Sequence, residues 1–216
     1  MKRIFFGILT IFTAGFVVFG ITQAFFSDNE TSFDNTITTA SSFNREEPAG
    51  GTESLVINEV YYDPDEDHEV EGGPIDSEWV EIYNPTDSTV NLKDWKIADS
   101  ITERVISSTD RNLGPGEFVI LARADDVRAI WGIAVEKFIP IGARIGSGLN
   151  NEGDSVILKN NEGSVVDQLS YGDDTTILDP SIPDAADGHS IERDPDGVDT
   201  DSPADFVDRE TPQPGS

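Results

Sequence analysis

The stretch Glu78-Trp-Val-Glu-Ile-Tyr-Asn-Pro85 decides the fold. It is a short β-prone run closed by an Asn-Pro turn. Trp79 falls on one phase of the alternation and Val80 and Ile82 on the other. Such a strand either buries both faces or runs between a sheet and a loop. Upstream, Leu55-Val-Ile-Asn-Glu-Val-Tyr-Tyr62 is a second β-prone run. Downstream, Asp94-Trp-Lys-Ile-Ala-Asp99 and Glu103 to Ile106 read as short strands. The turn Leu113-Gly-Pro-Gly116 precedes another strand, Glu117-Phe-Val-Ile-Leu-Ala122. Ser155-Val-Ile-Leu-Lys159 and Ser164-Val-Val-Asp-Gln-Leu-Ser-Tyr171 flank Asn160-Asn-Glu-Gly163, a hairpin in which Gly163 supplies positive φ. Only Asp125 to Trp131 reads as helix. Short strands parted by Gly, Pro, Asn and Asp turns define an all-β domain, a sandwich or a barrel.

The 216 residues include 42 acids, 14 Lys or Arg and 2 His, for a formal net charge of −28. That charge argues against unaided binding of nucleic acid or of an anionic membrane, since both need positive charge facing phosphate. The chain has no Cys, which excludes disulfides, thiolate-bound zinc and a catalytic thiol. Its length suits one domain with appendages.

Lys2 and Arg3 precede an apolar run from Ile4 to Ile21, and the first acid is Asp28. A basic start, an apolar middle and the small residues Thr22 and Ala24 fit a secretory signal cut after Ala24. The same run is long enough to remain as a signal anchor, so membrane contact is expected only through residues 4–21 if they are retained. Losing Lys2 and Arg3 by cleavage takes the net charge to −30. The division is therefore 1–24 as signal peptide or anchor helix, 25–53 as an exported, flexible polar linker, and 54–212 as the β domain with an acidic C-terminal segment. Phe26-Ser-Asp28, Glu30, Ser32 and Asn35-Thr36 resemble the processing junction of camelysin and TasA-type secreted proteins. That resemblance covers some 20 residues and implies an address at the cell surface or outside the cell.

Several ordered motifs resemble the lamin tail domain, in its bacterial, secreted or surface form. They are Ile57-Asn-Glu-Val60, Glu78 to Pro85, Val90-Asn-Leu-Lys-Asp-Trp-Lys-Ile-Ala-Asp99, Leu113 to Leu121, Gly148 to Leu158, Val166 to Gly172 and Gly188-His-Ser-Ile-Glu-Arg193. The closing Asp199-Thr-Asp201, Asp205-Phe-Val207 and Pro212-Gln-Pro-Gly215 continue the likeness to residue 215. The resemblance implies an immunoglobulin-like β-sandwich that serves as an interaction module. Trp79 and Trp95 are read as core rings needing partners for their indole N–H groups, which Glu59 or Glu81 could supply.

Two segments carry carboxylates at alternate positions. Asp194, Asp196, Asp199 and Asp201 surround Gly197, and Asp63, Asp65 and Asp67 precede His68. Alternating oxygen ligands around a turn suit Ca2+, although neither segment has the EF-hand register. The alternative is a solvated acidic loop. Gly153-Asp-Ser155 resembles an esterase block, with His189 the only downstream imidazole, but it precedes a hairpin strand and reads as a turn. No catalytic residue is assigned and no enzyme activity is expected. Arg104, Arg111, Arg123, Arg128 and Arg144 are read as part of a mixed surface. The expected function is an exported, non-enzymatic surface or extracellular module that binds a protein or an extracellular polymer. A calcium-binding surface or matrix component is the alternative, and a hydrolase or cation-bridged nucleic-acid binder ranks behind both.

Overall fold

The computed structural model describes residues 54–216. The expected signal or anchor helix and the linker to residue 53 lie outside the described residues. Among the described residues twelve strands form: β1 (Val56–Tyr61), β2 (Trp79–Tyr83), β3 (Val90–Asn91), β4 (Lys96–Ala98), β5 (Glu103–Val105), β6 (Asn112–Leu113), β7 (Phe118–Ala122), β8 (Phe138–Pro140), β9 (Ser155–Lys159), β10 (Val165–Ser170), β11 (Ser190–Arg193) and β12 (Phe206–Arg209). An α-helix, α1 (Asp125–Trp131), follows β7. A six-stranded sheet runs β12-β11-β1-β2-β7-β8, a four-stranded sheet runs β10-β9-β4-β5, and β3 pairs with β6. The fold is an immunoglobulin-like β-sandwich.

Alternation explains the core. Val60, Val80, Ile82, Val119, Leu121 and Ile191 point from the large sheet into a cluster shared with Ile97, Val156, Leu158 and Leu169 of the small one. The opposite face of the large sheet is also covered. Tyr61, Trp79, Ile120, Ala122 and Phe138 pack there with Val127 of α1 and with Val70 and Ile133. Covering both faces is what allows β1 to be buried at every position. The register of β1 against β2 shifts between Ile57 and Glu59, leaving Asn58 as a bulge. Two residues apart would ordinarily share a face. The bulge instead sends Ile57 into the inter-sheet core and Glu59 to the outer face.

The sequence reading places β1, β2, β4, β5, β7, α1 and the β9–β10 hairpin, with Gly163 at φ 84°. It leaves out β8, which pairs in parallel with β7 after the α1 crossover. It also leaves β11 and β12 as motif rather than strand, although together they extend the large sheet beyond β1. The indole expectation is corrected. The N–H groups of Trp79 and Trp131 meet no acceptor among the described residues. Trp79 is held by rings instead, stacked on Tyr61 with centroids 5.6 Å apart and edge-on to Trp131 at 5.7 Å.

A buried ion pair ties the two sheets. Arg193, at the end of β11, points inward like Ile191 two residues earlier. Its Nη2 meets Asp167 Oδ2 of β10 at 3.1 Å, and both side chains are 2% exposed. Its Nε donates to the Ile57 carbonyl at 2.8 Å, and its guanidinium carbon sits 4.4 Å from the Phe206 ring centroid. Asp167 in turn accepts the Ile57 N–H at 2.7 Å. Removing one partner strands a buried charge. Arg193→Ala is therefore expected to cost about 3–5 kcal/mol of unfolding free energy in urea. The double variant Arg193→Met, Asp167→Leu should recover most of that loss. Equal losses in the single and double variants would mean that the charges are not paired.

Candidate functional site

The outer face of the large sheet carries a row of carboxylates. Glu192 of β11 lies opposite Glu59 of β1, which lies opposite Glu81 of β2. All three are buried, so each needs hydrogen-bond partners. Ser190 Oγ and the Gln213 N–H donate to Glu59 Oε1, the latter at 3.3 Å. Asn58 donates to Glu81 Oε1 at 3.0 Å, and the Gly215 N–H donates to Glu81 Oε2 at 2.5 Å. Glu192 is paired with Arg209 of the neighbouring β12. Residues 213–215 thus form a strap laid over the two central carboxylates. Gly215 has φ 88°, and a Cβ there would come within 3.2 Å of Lys137 Cδ, so the strap needs glycine at that point.

Burial pushes the Glu59 carboxyl up to about 7, with the charge of Glu192 adding to the rise, and that of Glu81 up to about 8, with the charge of Glu59 adding to it. Burial pushes Glu78, just before β2, up to about 9, although the Leu149 N–H lies 3.1 Å from both of its oxygens.

Beside the strap lies a cavity of about 440 Å³. Its walls come from Leu92 after β3, β6 with Arg111 before it, the turn into β7 and the start of β7, the 3-10 turn Val135–Lys137, and Gly215 with Ser216. Leu92, Leu113 and Val119 give it buried apolar surface, and Phe118, stacked on Tyr83 at 4.4 Å, gives an aromatic wall. Arg111 and Lys137 bring positive charge, Glu117 and Glu136 negative. The volume falls in the range of small-ligand clefts, about 300–1,000 Å³. Sequence reading named Arg111 only as a surface residue and did not find this cavity, because its walls come from segments more than 100 residues apart in the chain, between Leu92 and Ser216.

The acidic residues singled out in the sequence have other tasks. Asp199 Oδ1 meets Arg193 Nη1 at 3.3 Å and accepts the Asp201 N–H at 3.1 Å. Asp196 Oδ1 accepts from the bulged Asn58 at 3.1 Å, while the Asn58 oxygen takes the Gly197 N–H at 3.0 Å. Asp194 is exposed and donates its N–H to the Asp205 carbonyl at 3.0 Å. Asp205, which the alternating pattern did not include, takes Arg193 at 3.4 Å and both donors of Thr200 at 2.7 Å. The loop is organised around the guanidinium of its own chain. Asp63 accepts from Asn151, and its carbonyl takes the Gly188 N–H at 2.8 Å. Burial, then the charges of Asp187 and Asp184, raise its pKa. Asp65 pairs with His68, whose ring stacks on Trp131 at 4.1 Å. Asp67 is exposed. Among the described residues the two acidic segments share no hydrogen bond, and no group of three or more His, Asp or Glu is arranged to hold a metal ion.

A two-layer, mainly antiparallel sandwich of immunoglobulin type, with a cleft at its edge, defines a class of β-rich domains. The chain belongs to the lamin tail domain family, which matches residues 48–173. The matched stretch ends before β11, so Arg193 and the strap lie beyond it. No curated protein matches the chain.

The carboxyls of Glu59, Glu81 and Glu78 sit above the ordinary 4.5. Between that value and their raised ones the folded state holds protons that the unfolded chain releases. Their contribution to stability is therefore complete below pH 4.5 and is lost as pH rises through about 7 to 9. The slope is about 1.4 kcal/mol per pH unit for each proton still held. Urea midpoints are expected to fall from pH 5 to pH 9, and Glu78→Gln should flatten the last part of that fall. An unchanged profile in this variant would show that Glu78 releases its proton as freely folded as unfolded. Because Arg193 already sits among the loop carboxylates, thermal midpoints in calcium and in EDTA should coincide at matched ionic strength. A calcium-specific rise lost in Asp196→Asn or Asp199→Asn would show that the loop takes up a second cation.

Proposed function

We propose that the chain is an exported, non-enzymatic interaction module that works at the cell surface or outside the cell, where its sandwich binds a partner protein or polymer. The observation that carries this reading is the cavity of about 440 Å³ at the sandwich edge, with mixed charge and an apolar wall. Such a lining favours recognition of a ligand with both polar and apolar parts. The arrangement of the sequence's esterase-like block also favours binding over turnover. Ser155 is buried at the start of β9, and its Oγ has no hydrogen-bond partner among the described residues. His189 is engaged elsewhere, with Asp208 at 2.7 Å. A Ser nucleophile needs its imidazole within hydrogen-bond reach. Export is supported by Lys2-Arg3 ahead of the apolar run from Ile4 to Ile21.

Two readouts test the proposal. The chain expressed in an exporting bacterial host should appear outside the cytoplasm, with mass spectrometry finding either a mature N-terminus at Phe25 or the intact anchor. Purified protein should show no turnover of ester, phosphodiester or glycoside substrates. Retention in the cytoplasm would defeat the address. Hydrolysis abolished by one point mutation would replace the binding role with an enzymatic one.

A further inference from the structure

We infer that the cavity beside the strap binds a peptide segment that presents one carboxylate among apolar residues. This rests on the reading of the chain as an interaction module and narrows its partner. The argument begins with where the chain places its few cations. Lys96, Arg123, Arg128, Arg144, Lys159, Arg193 and Arg209 each meet a carboxylate. Lys93, Arg104, Arg111 and Lys137 meet none among the described residues, in a chain of net charge −28, and of these four Arg111 and Lys137 line the same cavity.

Main-chain carbonyls hold these two cations in position instead. Arg111 Nη2 donates to the Glu136 carbonyl and, at 3.4 Å, to that of Phe138. Lys137 Nζ donates to the Gly215 carbonyl. A carbonyl fixes the side chain and leaves its full charge in place. Arg111 uses only Nη2 in these bonds, so Nε and Nη1 each keep a donor for a single charge-assisted bond to a carboxylate. Lys137 uses one of three N–H donors. The cations are thus held in place before a ligand arrives, which lowers the ordering cost of binding.

The rest of the lining selects among anions. Glu117 is folded back onto the Gly114 N–H at 2.7 Å. Glu136 also lines the cavity and brings an acid to it. A polyanion would bring a second charge toward Glu136 and would approach a strongly acidic protein, so repulsion works against it twice. A single acid flanked by apolar residues meets Arg111 and Lys137 and lays its neighbours on Phe118, Leu92 and Leu113 without that conflict. β6, which has only β3 beside it, contributes Asn112 and Leu113 to the wall. An extended peptide suits such a surface better than a compact solute.

Calorimetry on the full chain, purified in mild detergent, tests the inference with three probes. They are a capped pentapeptide with aspartate at the centre of valine and threonine, the same peptide with asparagine at the centre, and an oligogalacturonate of similar length. The aspartate peptide should bind at least about tenfold tighter than the asparagine peptide, the scale of a charge-assisted pair. Arg111→Gln should abolish that preference. Glu136→Gln should strengthen aspartate-peptide binding by about threefold through removal of a like charge, a gain that a misfolded variant cannot produce. Equal affinity for the two peptides, a preference that survives Arg111→Gln, or tighter binding of the oligogalacturonate would each overturn the inference. Export and absence of turnover are read independently, so failure here is distinguishable from failure of the broader role.

Discussion

The pair Arg193–Asp167 is the contact on which the rest of the sandwich depends. It joins β11 of the large sheet to β10 of the small one, with both side chains 2% exposed. Two charges withdrawn from water are stable only when their remaining donors and acceptors are met. Arg193 meets this by reaching the carbonyls of Ile57 and Val198 as well as Asp199 and Asp205. The same guanidinium therefore fixes the distance between the sheets, the start of β1 and the path of the loop into β12. Hydrophobic packing between the sheets has no such directionality. The ion pair supplies it, placing Asp167 and Ile57 in one register relative to β11.

Much of this architecture was legible because β2, β7 and β9 are apolar runs bounded by turn residues, and such runs announce themselves by period and punctuation. β8 is three residues long and pairs in parallel only after α1 brings it back, so its partner is set by topology rather than by its own composition. β11 was hidden because it reads Ser-Ile-Glu-Arg, a sequence that composition assigns to the surface, whereas every one of its residues is buried. The inter-sheet pair makes that burial tolerable. The bulge at Asn58 was invisible for a related reason. Only the register against β2 shows that Ile57 and Glu59 face opposite sides.

The acidic loop shows how far residue type can carry a functional reading. Alternating aspartates are a fitting ligand set for a hard cation, and a guanidinium asks for the same carboxylate oxygens. The pattern Asp194 to Asp201 cannot separate these uses by itself. In the fold Arg193, one position before the pattern, takes Asp199 of the loop together with Asp205 after it and Asp167 on another sheet. The signal in the sequence was a basic residue at the threshold of an acidic run, and its meaning depended on whether that side chain turned inward.

Charge is therefore distributed unevenly across the molecule. Acids on the outer face of the large sheet are covered by the strap and hold their protons more firmly than exposed ones do, with Glu59 at about 7 and Glu81 at about 8. Among the described residues most cations are consumed in pairs, and two of the four that are not, Arg111 and Lys137, lie beside that strap. The two facts are linked through Gly215, whose N–H holds Glu81 while its carbonyl holds Lys137. One residue at φ 88° thus carries both the hold on Glu81 and the anchor of Lys137, while Arg111 is held separately by the Glu136 and Phe138 carbonyls. In a chain of net −28, Arg111 and Lys137 offset Glu117 and Glu136 in the cleft lining, so this cleft is spared the acidic excess of the rest of the chain.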